Sequence, residues 1–398
     1  MPDRKPAAPR VGFLTFDLQE FTADCLNRVY DLAGDSCRIK AYPIQSRAAD
    51  FIRFPYRRSN FNGKSKSFTK GDAVPEGLMI SVHWRAALAC ARESDIVVLF
   101  GIQAGTALLL TILARLFGRK LVSVNQTLPP HRERQRRWWV RWLKGWILRR
   151  CDVHVVQTPV TRDTLRDVYG LPEDRFVVAP FEAGWRIFES LRAKTSESNA
   201  DFRKQWGWPD DDCVFLFVGT LLEFKGTRLL LESMRILKSR GRRARLVFCG
   251  PESPRATEWS LAQYREETRR LGLEDEVKFT GRIPYDDLPG YYRGSDALVL
   301  PTSRDMWPKV LVEAAAFELP LISTTAAGTA GSLVVDGQTG ALIPPDDPES
   351  LADAMERMLD PRHRENWGRN ARAFCVSFCD AEKEARGYYE AIELARAA

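Results

Sequence analysis

Two carboxylates flank one turn in the most informative stretch of the chain. The apolar run Ala297–Leu300 predicts a buried parallel strand, and Lys309–Phe317, rich in Val, Leu and Ala, predicts a helix with Pro308 as its first residue. Asp305 lies in the turn between them, and Glu313 lies about one turn inside the helix. Because ligands bind at the carboxyl edge of such sheets and helix N-termini favour phosphate, both side chains can face one bound molecule.

The segment from Asp305 to Ala316, DMWPKVLVEAAA, resembles the E-x7-E signature of the nucleotide-sugar glycosyltransferases of family 4, with Asp for the first Glu. Members of that family have the GT-B fold, in which two Rossmann-like domains face each other across the donor site. A purely structural alternative is that Glu313 pairs with Lys309 and that Asp305 caps the helix. Further matches at the distances typical of the family favour the resemblance.

A strand, a tight turn and a helix start follow one another at Val214–Gly226. A lysine in such a turn can reach a diphosphate as a point charge, and the helix amides add their dipole. The segment resembles the family motif V-G-R-L-x-x-x-K-G, whose Arg and Lys hold the leaving diphosphate. Gly219 and Lys225 match it, and Thr220 stands where Arg is usual. The alternative is a surface lysine before a glycine turn.

Two later segments extend the resemblance, and two positions depart from it. Val277–Arg282 resembles a turn whose backbone, near Ile283, contacts the nucleotide base. Asp336–Pro345 matches D-G-x-x-G-x-L-V-x-P; its glycines, among them Gly340, predict a turn, and the match mainly reports the fold. Glu318 replaces the Gly that usually precedes Leu-Pro. Ala327–Ser332 lacks the Glu of the family's G-G-x-x-E.

The resemblance implies a retaining, metal-independent transferase without a cofactor, whose donor substrate is a UDP- or GDP-sugar. The transition state carries positive charge at the sugar and negative charge on the diphosphate, which Lys225 and a helix N-terminus can stabilise. Glu313 would hold the ribose hydroxyls and Asp305 those of the sugar. The predicted catalytic residues are Asp305, Lys225 and His131. The predicted donor-binding residues are Gly219, Thr220, Lys225, Arg282, Ile283, Asp305, Trp307, Pro308, Lys309 and Glu313.

The first half of the chain matches the family only in outline. Retaining members often place a His at the end of a strand near the reacting sugar, and Asn125 stands at that position here. His131, six residues on, is a candidate substitute. A loop histidine beside a basic helix explains His131 equally well.

Residues 132–150, which predict one helix, contain eight basic residues, one acid and four tryptophans. Tryptophans beside arginines suit a membrane interface, and the basic, aromatic-rich loop 47–70 fits an anionic surface as well. The alternative is an amphipathic helix that packs on the first sheet. The chain contains no recognised nucleic-acid module, so no nucleic-acid partner is expected. The predicted membrane contacts are Trp138, Arg141, Trp142, Lys144 and Trp146.

Strands that alternate with helices predict an α/β fold with two facing Rossmann-like domains and parallel sheets flanked by helices. The 398 residues, 44% hydrophobic and 28% charged, suffice for both domains. The predicted domains are an acceptor-side domain 1–191, a linker 192–206, a donor-binding domain 207–362 and C-terminal helices 363–398. In the family the final helix crosses back onto the first domain.

Neither a signal peptide nor a transmembrane span is apparent, and eight scattered cysteines indicate reduced cytosolic thiols rather than a disulfide or zinc site. The sequence thus predicts a cytoplasmic, peripherally membrane-bound transferase that acts on a glycan or lipid-linked acceptor in polysaccharide or glycolipid synthesis. The alternatives are a catalytically weakened scaffold that binds nucleotide sugar, motivated by Thr220 and Asn125, and a soluble transferase acting on a small molecule.

Overall fold

The computed structural model describes residues 8–18, 20–46, 83–101, 104–125, 133–181, 185–194, 202–255 and 257–398. The chain divides into two compact units, Met1–Phe181 with Ala381–Ala398, and Glu182–Asp380. In the described part of the chain, each unit is built around one six-stranded parallel sheet flanked by helices. The predicted α/β class with parallel sheets is therefore confirmed.

The first sheet has the strand order β2-β1-β3-β4-β5-β6. Its strands are β1 (Arg10–Leu18), β2 (Arg38–Ser46), β3 (Ile96–Phe100), β4 (Lys120–Asn125), β5 (Val153–Val156) and β6 (Phe176–Val178). The helices of this part are α1 (Glu20–Ala33), α2 (Trp84–Glu93), α3 (Ala104–Leu116), α4 (Trp138–Leu148) and α5 (Pro159–Tyr169). The central strands are buried on both faces, as their unbroken runs of Val, Ile and Leu require.

The second sheet has the strand order β12-β11-β10-β7-β8-β9. Its strands are β7 (Cys213–Val218), β8 (Ala244–Cys249), β9 (Val277–Gly281), β10 (Ala297–Leu300), β11 (Leu321–Thr324) and β12 (Gly340–Ile343). Its helices are α6 (Trp185–Lys194), α7 (Phe202–Gln205), α8 (Thr227–Ser239), α9 (Leu261–Arg270), α10 (Leu288–Arg293), α11 (Lys309–Ala316), α12 (Pro348–Arg357) and α13 (Pro361–Phe378). The order reverses between β7 and β10, which makes this pair the topological switch point of the sheet.

The final helix, α14 (Ala381–Ala397), belongs to the first unit. It lies close to the first sheet, since a Cβ on Gly387 would be 2.6 Å from that of Ala179. The ring of Tyr388 stacks on Phe100 of β3 with 5.5 Å between the ring centroids. These contacts bury one face of α14 in the core of the first unit.

Several boundaries differ from those expected. The second unit begins ten residues before the predicted boundary at 191, because Phe188 of α6 packs edge-on against Tyr292 of α10. The predicted linker 192–206 includes the end of α6 and helix α7, while its residues 195–201 lie outside the described residues. Strand β12 replaces the turn predicted near Gly340, and Pro308 precedes α11 in an extended conformation instead of starting the helix.

In the described part of the chain, no helix has the length and apolar character needed to cross a membrane. All eight cysteines are free and buried. Burial raises the pKa of the Cys90 and Cys151 thiols to about 12, so both remain protonated near neutral pH.

Candidate functional site

The two turns that the sequence singled out meet at the switch point of the second sheet. The turn after β7 and the turn after β10 are joined by hydrogen bonds to the carbonyl of Phe224, from the amide of Ser303 at 2.7 Å and from the hydroxyl of Thr302 at 3.1 Å. A Cβ on Gly226 would lie 2.3 Å from the carbonyl oxygen of Pro301, so only glycine permits this approach. The chain thus holds both turns in one fixed arrangement.

Lys225 is placed over the end of β7. A Cβ on Gly219 would lie 2.9 Å from its Nζ, and Gly219 has a φ of 144°, a conformation that favours glycine. The amide of Gly219 donates to the carbonyl oxygen of Cys249 at 2.8 Å, and the amide of Gly250 donates to the carbonyl oxygen of Gly281 at 2.9 Å. Glycines therefore stand at the carboxyl ends of three adjacent strands, where the backbone of Gly250 packs directly on that of Gly219 and Lys225 lies over Gly219.

Both carboxylates interact with Lys225. Burial raises the pKa of the Asp305 carboxyl above its usual value, and the charge of Lys225 opposes this shift. Burial likewise raises the pKa of Glu313, opposed by a hydrogen bond from Tyr292 and by the charges of Lys309 and Lys225. The charge of Lys225 thus acts on both partly desolvated carboxylates at the switch point.

Tyr292 was not identified from the sequence. It is fully buried on α10 and donates a 2.6 Å hydrogen bond to Oε2 of Glu313. Burial and the neighbouring carboxylate raise the pKa of Tyr292 well above its usual value, so its hydroxyl stays a donor. Its ring stacks on Phe317 with 5.4 Å between the centroids. The bond fixes one oxygen of Glu313, and no pattern of spacing could reveal it because the partners are 21 residues apart.

The other predicted donor-binding residues lie around the same sheet edge. Thr220 follows Gly219 at the end of β7. Two further residues follow β9, the exposed Arg282 and the half-buried Ile283. The side chain of Trp307 is buried, its ring centroid lies 6.4 Å from that of Phe378, and its Nε1 has no hydrogen-bond partner among the described residues. Lys309 opens α11, and no side chain caps that helix.

In the first unit, the residue that stands at the position of the family's His lies inside the sheet. Asn125 is buried, and its amide donates to Ser123 Oγ at 2.8 Å. Ser123 is in turn 2.8 Å from Nδ1 of His154, and burial lowers the pKa of that imidazole to about 4. Asn125 is therefore part of a buried polar chain within the sheet. His131 and the loop 47–70 lie outside the described residues.

Residues 133 and 134 are helical and residues 135–137 are not, so the predicted helix 132–150 is interrupted by a turn at 135–137 and α4 begins at Trp138. Trp138 and Trp142 are 76% and 59% exposed, and Arg141 is exposed beside them. Trp146 packs against the core and under the guanidinium of Arg150, 3.7 Å from its ring centroid. Of the predicted membrane contacts, Trp138, Arg141 and Trp142 are therefore accessible at the surface.

Lys144, also predicted as a membrane contact, is mostly buried and ion-paired instead of exposed beside Trp138 and Trp142. Its Nζ lies 2.7 Å from Glu133, whose side chain is fully buried. Glu133 also accepts from Nε of Arg136 at 2.8 Å and from the hydroxyl of Tyr169 at 2.5 Å. Burial opposes the charge on Glu133, but Lys144 and Arg136 outweigh it and lower the pKa of this carboxyl to about 2. The cluster attaches the start of the segment to α4 and α5.

No group of three or more His, Cys, Asp or Glu side chains within the described residues is arranged to hold a metal ion.

Comparison with known protein families finds two matches that follow one another along the chain. Residues 32–182 match the model described as glycosyl transferase 4-like domain, and residues 198–374 match glycosyl transferases group 1. The second match contains every candidate donor-site residue. Together the two models account for most of both units.

Among curated relatives, the D-inositol 3-phosphate glycosyltransferase of Corynebacterium diphtheriae is 32% identical over 213 residues, which are 53% of this chain and 48% of that protein. The chain thus matches about half the length of such relatives. The solved structure of Anabaena HepE in complex with UDP superposes with a TM-score of 0.70 at 16% identity and covers 96% of this chain and 99% of its own. WaaG, a glycosyltransferase involved in lipopolysaccharide biosynthesis, has a TM-score of 0.58 at 16% identity, over 94% of this chain and 98% of its own. At these identities the two structures show a shared fold.

Proposed function

Because the chain belongs to the group 1 glycosyl transferases of GT-B fold, we propose that it transfers a sugar from a nucleotide-diphosphate donor, a UDP- or GDP-sugar, to a glycan or lipid-linked acceptor. The proposal includes retention of the anomeric configuration and independence from metal, as in the family that the motifs resemble. The relative HepE has been solved with UDP and with UDP-glucose, which supports a nucleotide-sugar donor.

The observation that carries the proposal is the position of Lys225, Asp305 and Glu313 at the switch point of the second sheet. Open α/β sheets bind ligands at this point. The lysine and the N-terminus of α11 supply positive charge for a diphosphate. The two carboxylates supply acceptors for hydroxyl groups, and burial strengthens such bonds.

We assign each of these groups one role in transfer. The acceptor's hydroxyl oxygen bonds to the anomeric carbon as the bond from that carbon to the diphosphate breaks, and the hydroxyl proton passes to the leaving diphosphate. Negative charge then grows on the leaving diphosphate, and Lys225 with the amides that open α11 stabilises it. Glu313, held by Tyr292, binds the ribose hydroxyls, and Asp305 binds hydroxyls of the transferred sugar.

Assays of donor hydrolysis and of transfer to lipid-linked acceptors test this activity. We expect one UDP- or GDP-sugar to be consumed when EDTA is present. A chain that binds a nucleotide sugar yet turns over no donor would contradict the enzyme and support the scaffold alternative, for which Thr220 in place of the family's Arg gives a physical reason.

We further propose that the first unit binds an anionic membrane surface on its cytoplasmic side. Helix α3 packs against both α2 and α4, and exposed apolar side chains lie on all three helices. They include Trp84 and Leu116, at 51% and 74% exposure, together with Trp138 and Trp142. Exposed arginines such as Arg141 accompany them, and each basic group near an anionic leaflet contributes about 1 kcal/mol. Exposed aromatic rings among basic groups favour a lipid interface over a free small acceptor.

Flotation with vesicles tests this surface. The double variant Trp138→Ala/Trp142→Ala should reduce the fraction bound to phosphatidylglycerol vesicles at least about threefold, because the two rings are the most exposed anchors on α4. Melting temperature should not change, since neither side chain is buried. The matched control is Leu394→Ala, an exposed apolar residue on α14 of the same unit, which should float like the wild type. A wild-type protein that stays unbound would favour an acceptor in solution.

A further inference from the structure

A cavity of about 500 Å³ lies at the opposite edge of the second sheet from the candidate donor site. Its walls come from residues just before β10 and β11, from the end of α6 and from the first half of α13. Strand β10 separates it from the turn that carries Asp305. Its lining includes three carboxylates and four arginines, which are Arg192, Arg293, Arg364 and Arg369.

Ion pairs within the protein already neutralise part of the charge that lines the cavity. Asp296 accepts from Nη2 of Arg203 at 2.6 Å and lies 3.4 Å from Nε of Arg364. It also accepts the amide of Val214 at 2.8 Å. Asp296 and Arg364 therefore hold the start of β10 in place and form the floor of the cavity.

Arg293 is less completely satisfied. Its Nη2 donates to the carbonyl of Arg192 at 2.7 Å, and its guanidinium lies 6.0 Å from the centroid of the Phe317 ring. Its Nε is buried and has no hydrogen-bond partner among the described residues. Only part of the donor capacity of this guanidinium is used within the described residues, and Arg293 lines the cavity, so it can still donate to an anion there.

Glu318, where the sequence departs from the family's Gly, lines the same cavity. Its φ is 60°, the left-handed conformation in which helices usually end on Gly. The carboxylate accepts from Nη2 of Arg192 at 2.8 Å and lies 3.8 Å from Nε of Arg372. A Cβ on Gly368 would lie 1.8 Å from the Glu318 carbonyl oxygen, so the backbone cannot easily move. The glutamate occupies a disfavoured conformation and serves as an internal counter-ion for the arginines.

We propose that this cavity binds a small phosphorylated metabolite, with its phosphate on Arg293 and Arg369 and its organic part against Phe317 and Pro320. Arginine forks match phosphate geometry, and the volume is that of a small-molecule site. Helix α11 begins beside the donor carboxylates and ends at Phe317, so one helix touches both sites. The proposal does not depend on the identity of the donor.

Calorimetric titration of the full chain with glucose 6-phosphate tests the site, with UDP and GDP both at saturation so that the donor site is filled. We expect binding that persists with both nucleotides and in Lys225→Ala. Arg369→Ala, which removes an exposed side chain, should weaken binding about tenfold. Glu318→Gly should strengthen it about fivefold, because the variant removes the competing carboxylate and suits the backbone.

Glucose and inorganic phosphate are the reference probes. Glucose should not bind under the same conditions, and inorganic phosphate should bind more weakly because it leaves Phe317 uncovered. Three results would overturn the proposal: no binding of glucose 6-phosphate at about 10 mM, binding abolished by UDP or GDP, or binding unchanged in Arg369→Ala. Inorganic phosphate binding as tightly as glucose 6-phosphate would contradict the assignment of an organic ligand.

Discussion

Replacing Lys225 with alanine is expected to lower kcat for sugar transfer by about 100- to 1,000-fold, the loss typical when one group that stabilises developing negative charge is removed. The ammonium lies over Gly219 at the end of β7, where a leaving diphosphate would sit. The family's second cationic group is Thr220 here, so no arginine at that position can compensate. The measurement is kcat and KM with the preferred nucleotide sugar.

The matched control is Lys238→Ala, at the other end of α8. Lys238 is exposed and pairs with Glu276 at 2.8 Å, so its loss changes surface charge equally without touching the site. This control should retain wild-type kcat and KM. A Lys225→Ala enzyme whose kcat stays within about twofold of wild type would show that the ammonium does not act on the leaving group.

Replacing Glu133 with alanine is expected to lower the free energy of unfolding by about 3–5 kcal/mol, because it removes one partner of a buried ion pair. The carboxylate is fully buried and holds Lys144, Arg136 and Tyr169 together. Urea unfolding, followed by fluorescence of the neighbouring tryptophans, measures the loss.

The double variant Glu133→Leu/Lys144→Met separates charge from packing. It replaces this ion pair with apolar groups of similar size, so part of the lost stability should return, while Tyr169 and Arg136 still lack their acceptor. A loss below about 1 kcal/mol for Glu133→Ala would mean that the cluster behaves as an exposed surface pair. Because Glu133 has a pKa of about 2 in the folded protein, its contribution is present at neutral pH and lost only as the pH falls below its ordinary value towards 2.

The donor-site elements could be predicted from the sequence because their signals are local. Apolar runs marked β7 and β10, and the turn residues after each strand placed Lys225 and Asp305 at one sheet edge. Strand β12 was missed because four residues that begin with Gly resemble a turn. Pro308 was placed one position too far into the helix, since proline suits both positions.

The remaining differences depend on contacts between distant residues. Lys144 is grouped with the membrane contacts only if residues 132–150 form one helix, whereas the break at 135–137 brings Glu133 back against α4. Tyr292 contacts Glu313 only because α10 and α11 pack together. Glu318 was visible as a departure from the family, but its left-handed backbone and arginine partners were not. The spacing of residues along one helix cannot reveal contacts with residues that are distant in the sequence.

Donor affinity in Glu313→Gln tests the central claim most directly. Titration of the wild type with UDP-, GDP- and ADP-sugars should identify one that binds, and Glu313→Gln should weaken its binding about 10- to 100-fold, the range for losing a charged hydrogen-bond acceptor. The amide oxygen can still accept from Tyr292, so the melting temperature should be unchanged. If no nucleotide sugar binds the wild type, or if the variant binds it equally well, the switch point of the second sheet is not the donor site.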